Sequence, residues 1–133
     1  MRSVYVPGDA AFERFNIDGA RESGGLLMTS GQIGAVHRDL AEQIGASLDA
    51  VEALLQEAGY SLDDVIRLGI FTTDIDAFIG HWYVVRDRFA PGTVPPHTLL
   101  PVQRLANPRA LVEIEATAIR QPTGGGSAQL DDA

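Results

Sequence analysis

Cysteine and lysine are both missing from this 133-residue chain. Without cysteine there is no disulfide scaffold, thiolate nucleophile, Cys-ligated zinc or iron–sulfur cluster. Without lysine there is no Schiff-base amine and no phosphate-loop lysine. The 10 basic residues are all arginines, set against 18 acidic ones, and the formal net charge is −8. Nonspecific nucleic-acid binding rests on counterion release by a basic surface, so this acidic chain is a poor partner for DNA, RNA or anionic membranes. No run approaches the roughly 18 apolar residues of a membrane span. The N-terminal stretch from Met1 to Pro7 has too few apolar residues for a signal peptide. A soluble cytoplasmic protein is expected.

Hydrophobic residues make up 45% of the chain and charged residues 21%, near globular averages. The length suits one domain, burying about two-thirds of the surface its unfolded form exposes. Residues Gln121 to Ala133 are glycine-rich and end acidic, so a disordered tail is expected after a single domain spanning 1–120.

Two helices stand out. Leu40, Ile44, Leu48, Val51, Leu55 and Ala58 form one apolar stripe at helical spacing. Asp39 and Glu42 have capping-box spacing before it, and Gly59 is placed to end it. A second helix is predicted from about Asp76 to Phe89, with Phe78, Trp82, Val85 and Phe89 as its stripe. Strand patterns occupy Leu26 to Thr29, Val65 to Thr72, Thr98 to Gln103 and Ala110 to Arg120, with Val4 to Val6 and Phe12 to Ile17 as weaker candidates. In the last main strand Val112, Ile114, Ala116 and Ala118 share one face, and Glu113 and Glu115 the other. In the second, Ile66, Leu68 and Ile70 are placed together. This order predicts an α+β layer, one sheet covered on one face by two helices. Glu113, Glu115, Arg67 and His97 are assigned to the other face among apolar neighbours such as Leu99, Leu111 and Phe71. A mixed face of that kind suits another subunit.

Several segments resemble the Rid/YjgF family of reactive-intermediate deaminases, once labelled endoribonuclease or translation-initiation proteins. They are Leu27-Met28-Thr29-Ser30-Gly31-Gln32-Ile33, Leu54 to Gly59, Ser61 to Val65, Phe71 to Phe78, Pro95-Pro96, Val102 to Leu105 and Val112 to Ala116. The resemblance spans roughly residues 24 to 120. It implies a chorismate-mutase-like fold, a homotrimer built around a barrel of sheets, and small-molecule clefts between subunits. It also implies hydrolysis of enamines and imines such as 2-aminoacrylate, with no metal or cofactor. In deaminating members an arginine after a proline-containing segment pairs with the substrate carboxylate, and a glutamate in the last strand orients water. A tyrosine near the N-terminus and an asparagine on the second helix complete the pocket.

Carried over residue by residue, the frame persists while the pocket changes. The arginine position falls on His97, the tyrosine position near Ile17, and the asparagine position on Trp82 or the adjacent His81; Glu113 is retained. The loop from Arg104 to Glu113 is also longer than the family pattern by one residue.

An imidazole cannot form the two-pronged clamp of a guanidinium. His97 offers one hydrogen bond or general acid–base help, or simply lines a cleft. Glu113 is expected to orient water, although a strand glutamate is often just solvated. Glu115 reads as a subunit salt bridge. Ser30 and Gly31 could present backbone N–H groups to an anion, or mark a simple strand end. Arg104 is a candidate carboxylate partner or an interface residue, and Trp82 a packing residue or a ligand platform. His37, His81 and His97 have no metal-ligand spacing, and no glycine-rich dinucleotide signature is present.

The sequence therefore predicts a small-metabolite hydrolase with Glu113 and His97 as catalytic residues. Ser30, Gly31, Ile17, Trp82 and Arg104 are expected to bind substrate, with no metal and no cofactor. Because His97 stands at the clamp, standard 2-aminoacrylate deamination is not expected. The alternative is a non-catalytic trimer of the same fold that binds a small ligand or a partner protein.

Overall fold

Asp39 begins the longest helix by accepting the Glu42 N–H at 2.9 Å on its side chain, the N-cap role its position predicted. The computed structural model describes residues 1–120, apart from the side chains at positions 11 and 12. Its elements in chain order are β1 (Arg2–Val4), α1 (Ala10–Phe15), β2 (Ala20–Ser23), β3 (Leu26–Thr29), α2 (Leu40–Glu57), β4 (Val65–Thr72), α3 (Ile75–Gly80), α4 (Tyr83–Arg86), β5 (His97–Pro101) and β6 (Val112–Ile119). The segment expected to be a disordered tail lies outside the described residues. No helix is long and apolar enough to cross a membrane among the described residues.

Helix α2 buries Leu40, Ile44, Leu48, Val51, Leu54 and Leu55. It ends in a Schellman motif: Tyr60 N–H donates to Leu55 O at 2.8 Å and Gly59 N–H to Gln56 O at 3.0 Å, around Gly59 at φ +81°. The six strands form one sheet in the order β1-β2-β3-β6-β4-β5. All pairs are antiparallel except β4–β5, whose parallel pairing is reached by crossing over through α3 and α4. Helix α2 packs across β6, α4 packs on α2, and α3 on β5. Leu27, Leu68, Ile70, Val112, Ile114 and Ala118 meet the α2 stripe and Phe78 in the core. The α+β layer expected from the sequence is thus the observed architecture.

Four local expectations are corrected. The single helix predicted from Asp76 to Phe89 is two short ones. At Trp82, Val84 and Val85 the backbone bonds reach back three residues (to Ile79, His81 and Trp82), which tightens the turn after Gly80. Phe12 to Ile17, a weak strand candidate, lies mostly in helix α1, which stops at Asn16 with φ +58°. The strand β2 was not anticipated; it pairs with β3 through a Gly24-Gly25 turn with both φ positive, the geometry of a tight hairpin. Finally, a register shift between Val65 and Arg67 turns Ile66 outward, so Val65, Leu68 and Ile70 face the core instead.

Candidate functional site

Glu113 sits in β6 directly opposite Phe71 of β4, and Glu115 directly opposite Gly69. Their neighbours Val112, Ile114 and Ala116 point into the core, so alternation sends both carboxylates to the face not covered by α2. On its other side β6 is bridged to the Ser30–Gln32 segment. Gln32 N–H donates to Ile114 O at 2.8 Å and Ile114 N–H to Gln32 O at 3.0 Å. That bridge lays Glu113 over Gly31. A Cβ at Gly31 would lie 2.6 Å from Glu113 Cδ and 2.8 Å from Cγ, so only glycine leaves room for the carboxylate. Gly69 does the same for Glu115, whose Cγ would stand 2.8 Å from a Cβ there. Gly69 and its role were missed by the sequence reading, although an isolated glycine inside a strand pattern is the usual mark of close approach.

Burial raises the Glu113 pKa above the ordinary carboxylate value, and the neighbouring Glu115 charge raises it further. Neither carboxylate takes a hydrogen bond or ion pair from the described residues. Glu113 is held in register from behind. Leu111 N–H donates to Gln43 Oε1 at 2.8 Å, and Leu111 O accepts from Thr72 Oγ1 at 2.9 Å and Thr73 N–H at 3.1 Å. Gln43 and Thr72 are both buried. They fix the chain two residues before Glu113, so the longer loop from Arg104 ends in place. Sequence reasoning missed both, because a polar residue on an apolar stripe does not reveal its partner.

Gly31 lies against Glu113 with Ser30 next to it in the chain, and the backbone just after Ile17 reaches Ser30. Ser30 Oγ donates to Asp18 O at 2.8 Å, and Ile17 precedes Asp18 with 48% of its surface exposed. The N–H groups of Ser30 and Gln32 are both engaged internally, on Gly19 O at 2.7 Å and Ile114 O at 2.8 Å, so they are not turned toward an anion.

His97 and Trp82 form a second group. The parallel register pairs His97 with Leu68, a core residue, so His97 shares the helix-covered face. This corrects the expectation that His97 and Leu99 lie with Glu113. The imidazole stacks on the Trp82 indole with ring centroids 4.7 Å apart and 34° between planes, and Phe78 supports the indole from 6.2 Å. Trp82 is half-buried and packs on the core. His97 Nδ1 lies 3.1 Å from Pro95 O. Within one chain β4 separates β5 from β6, and His97 lies level with Ala116, three residues from Glu113; two strand spacings and that offset put the two residues roughly 14 Å apart along the sheet and on opposite faces. Arg104 is exposed, with its Nε donating to Leu105 O at 3.2 Å. Among the described residues no three His, Asp or Glu side chains gather closely enough to ligate a metal.

Comparisons with known proteins place this geometry. Residues 9–120 match the family described as Endoribonuclease L-PSP. TdcF of Escherichia coli (strain K12) is 34% identical over 105 residues, covering 73% of this chain and 81% of TdcF. The 2-iminobutanoate/2-iminopropanoate deaminase of the same organism is 32% identical over 106 residues, covering 74% of this chain and 82% of that one. The crystal structure of Rv2704 from Mycobacterium tuberculosis, a member of the YjgF/YER057c/UK114 family, superposes with a TM-score of 0.80. Its sequence identity is 31%, covering 90% of this chain and 99% of that chain. The structure of E. coli TdcF with bound serine superposes with a TM-score of 0.73 over 79% of this chain and 88% of that chain. The chain therefore belongs to the Endoribonuclease L-PSP family, the YjgF/Rid family that its motifs resemble.

Proposed function

We propose that this protein hydrolyses small imines or enamines in clefts formed between copies of the chain, with Glu113 handling the attacking water. The observation that carries this reading is the Glu113 carboxylate. It is half-buried over Gly31, raised in pKa by burial, and without a cationic partner among the described residues. A carboxyl in that setting gains basicity when ionised and is available as an acid after it takes a proton.

The steps balance as follows. Glu113 accepts a proton from water as the water oxygen bonds to the iminium carbon, and the C=N π pair moves to nitrogen, giving a carbinolamine. Glu113 returns that proton to nitrogen. The C–N bond breaks with its electron pair leaving on ammonia, and the hydroxyl becomes the carbonyl as its proton passes to that ammonia, giving ammonium. Water and an iminium are thus converted to a carbonyl compound and ammonium, as the name of the E. coli iminobutanoate deaminase suggests for its own substrates.

The separation of the two groups supports an assembly of several copies. His97 and Glu113 converge only if different copies contribute them, since one chain holds them on opposite sheet faces. The face carrying Glu113 also exposes Leu26, Met28, Leu100 and Ile119, a surface suited to cover by further copies. A homotrimer with three such clefts is the assembly proposed. With His97 in place of a guanidinium, standard 2-aminoacrylate deamination is not the activity assigned. The test generates imines in situ with an oxidase and traps the unhydrolysed fraction with semicarbazide. Wild type is expected to accelerate hydrolysis and Glu113→Ala to abolish the acceleration. Equal rates for the two proteins would overturn the reading.

A further inference from the structure

A carbonyl oxygen can only accept a hydrogen bond, so the contact between His97 Nδ1 and Pro95 O requires the proton on Nδ1. In the neutral ring Nε2 is then a bare acceptor. The stack on Trp82 fixes the ring plane, and Nε2 takes no partner among the described residues. The ring is therefore preorganised to receive a donor.

The proposed cleft between copies points the same way. There His97 of one copy would meet the face of another that carries Glu113 and Glu115, two carboxylates without a neutralising cation among the described residues. The backbone N–H groups of Ser30 and Gln32 are engaged by carbonyls. Arg67 donates to Thr98 Oγ1 at 3.1 Å and to Leu68 O at 3.2 Å. The net charge of −8 raises the local concentration of cations over anions.

We infer that the ligand offers a hydrogen-bond donor or positive charge at His97 Nε2, so the substrates are amine-derived imines without an α-carboxylate. This rests on the hydrolase reading for the word substrate, but the ligand preference is measured separately. Trp82 is the only tryptophan of the chain, so its emission reports directly on the stacked His97.

The experiment titrates the 133-residue chain with propylamine and with propionate at about pH 8 and follows Trp82 fluorescence. One hydrogen bond of the expected kind corresponds to about tenfold in affinity. Wild type is expected to bind propylamine at least about tenfold more tightly than propionate, and His97→Arg to reverse the order. Tighter propionate binding by wild type overturns the inference, and its loss in Arg104→Ala would identify Arg104 as the anion site instead. No response to either probe also overturns it, since Nε2 would then not be an available acceptor. The imine assay with oxidised amines and oxidised amino acids is run beside this titration. Absence of hydrolysis with every imine would remove the enzymatic reading while the titration still decides the ligand class.

Discussion

Replacing Gly31 with alanine tests the placement of Glu113 without assuming any activity. The added Cβ would lie 2.6 Å from Glu113 Cδ and 2.8 Å from Cγ. Ordinary carbon–carbon contact is about 3.5–4.0 Å, so the side chain has to retreat by about 1 Å. Both Cγ and Cδ are crowded, so turning the carboxylate alone does not relieve the contact. Gly31 does not have positive φ, so the substitution carries no backbone strain and the cost is steric. Overpacking costs about 1–3 kcal/mol, and a half-buried side chain at the open face places this case near 1 kcal/mol. In a Glu113→Ala background the obstacle is gone. There Gly31→Ala is expected to be neutral or stabilising by about 0.4–1 kcal/mol through the unfolded state. The pair should therefore show a coupling of about 1–2 kcal/mol in a double-mutant cycle of denaturant unfolding. Equal effects of Gly31→Ala in the two backgrounds would refute the contact, and with it the cradle that holds the proposed water-handling group. If Glu113 does handle water, Gly31→Ala also lowers hydrolysis by about 100-fold, the usual penalty for misplacement by 1 Å.

Because the folded pKa of Glu113 is raised, its contribution favours the folded state below the ordinary carboxylate value and is lost as pH rises through the folded value. Glu113→Gln should therefore melt above wild type at neutral pH, with the gap closing as pH falls; a gap independent of pH contradicts the shift. Gln43→Ala removes the acceptor for Leu111 N–H and the donor to Arg38 O, at 2.8 and 3.0 Å. With Gln43 1% exposed, it should lose about 2–4 kcal/mol in a denaturant melt. Gly59→Ala places a side chain at φ +81° and should cost about 1–2 kcal/mol, whereas Gly80→Ala, with nothing within 4 Å of a Cβ, should cost little or add stability. Gly69→Ala is expected to displace Glu115 and to move the Glu113 midpoint, read by carbon-13 NMR of the carboxyl, by less than loss of burial would, because burial is the larger of its two causes and the Glu115 charge the smaller.

What the sequence revealed follows from how locally each feature is determined. Helix α2 and strand β6 carry their faces in their own periodicity, and the limits of β3 and β4 are legible within a few residues, but the register shift between Val65 and Arg67 that turns Ile66 outward is set by pairing with β6. Strand β2 reads Ala-Arg-Glu-Ser, without a β-branched or aromatic residue, and only its turn glycines announce it. The break between α3 and α4 has no proline to signal it. It is supported by His81, whose Nδ1 meets Ala77 O at 2.8 Å. The side of the sheet that His97 takes is decided by the parallel pairing of β5 with β4, a tertiary fact that alternation within β5 does not contain. Gly31 and Glu113 were named as site residues from the sequence, but their mutual contact depends on the Gln32–Ile114 bridge across 82 positions of chain, the difference between the two residue numbers.

The central claim is that His97 of one copy and Glu113 of another complete each cleft, and subunit mixing tests it most directly. Purified His97→Ala and Glu113→Ala proteins are each assayed for imine hydrolysis, then exchanged by mild denaturation and refolding together. In a closed ring with random exchange, about one-quarter of the clefts receive both native side chains, so activity should rise to about one-quarter of wild type. If the exchanged mixture shows only the average of the two variants, His97 and Glu113 do not meet across copies, and the proposed cleft is wrong.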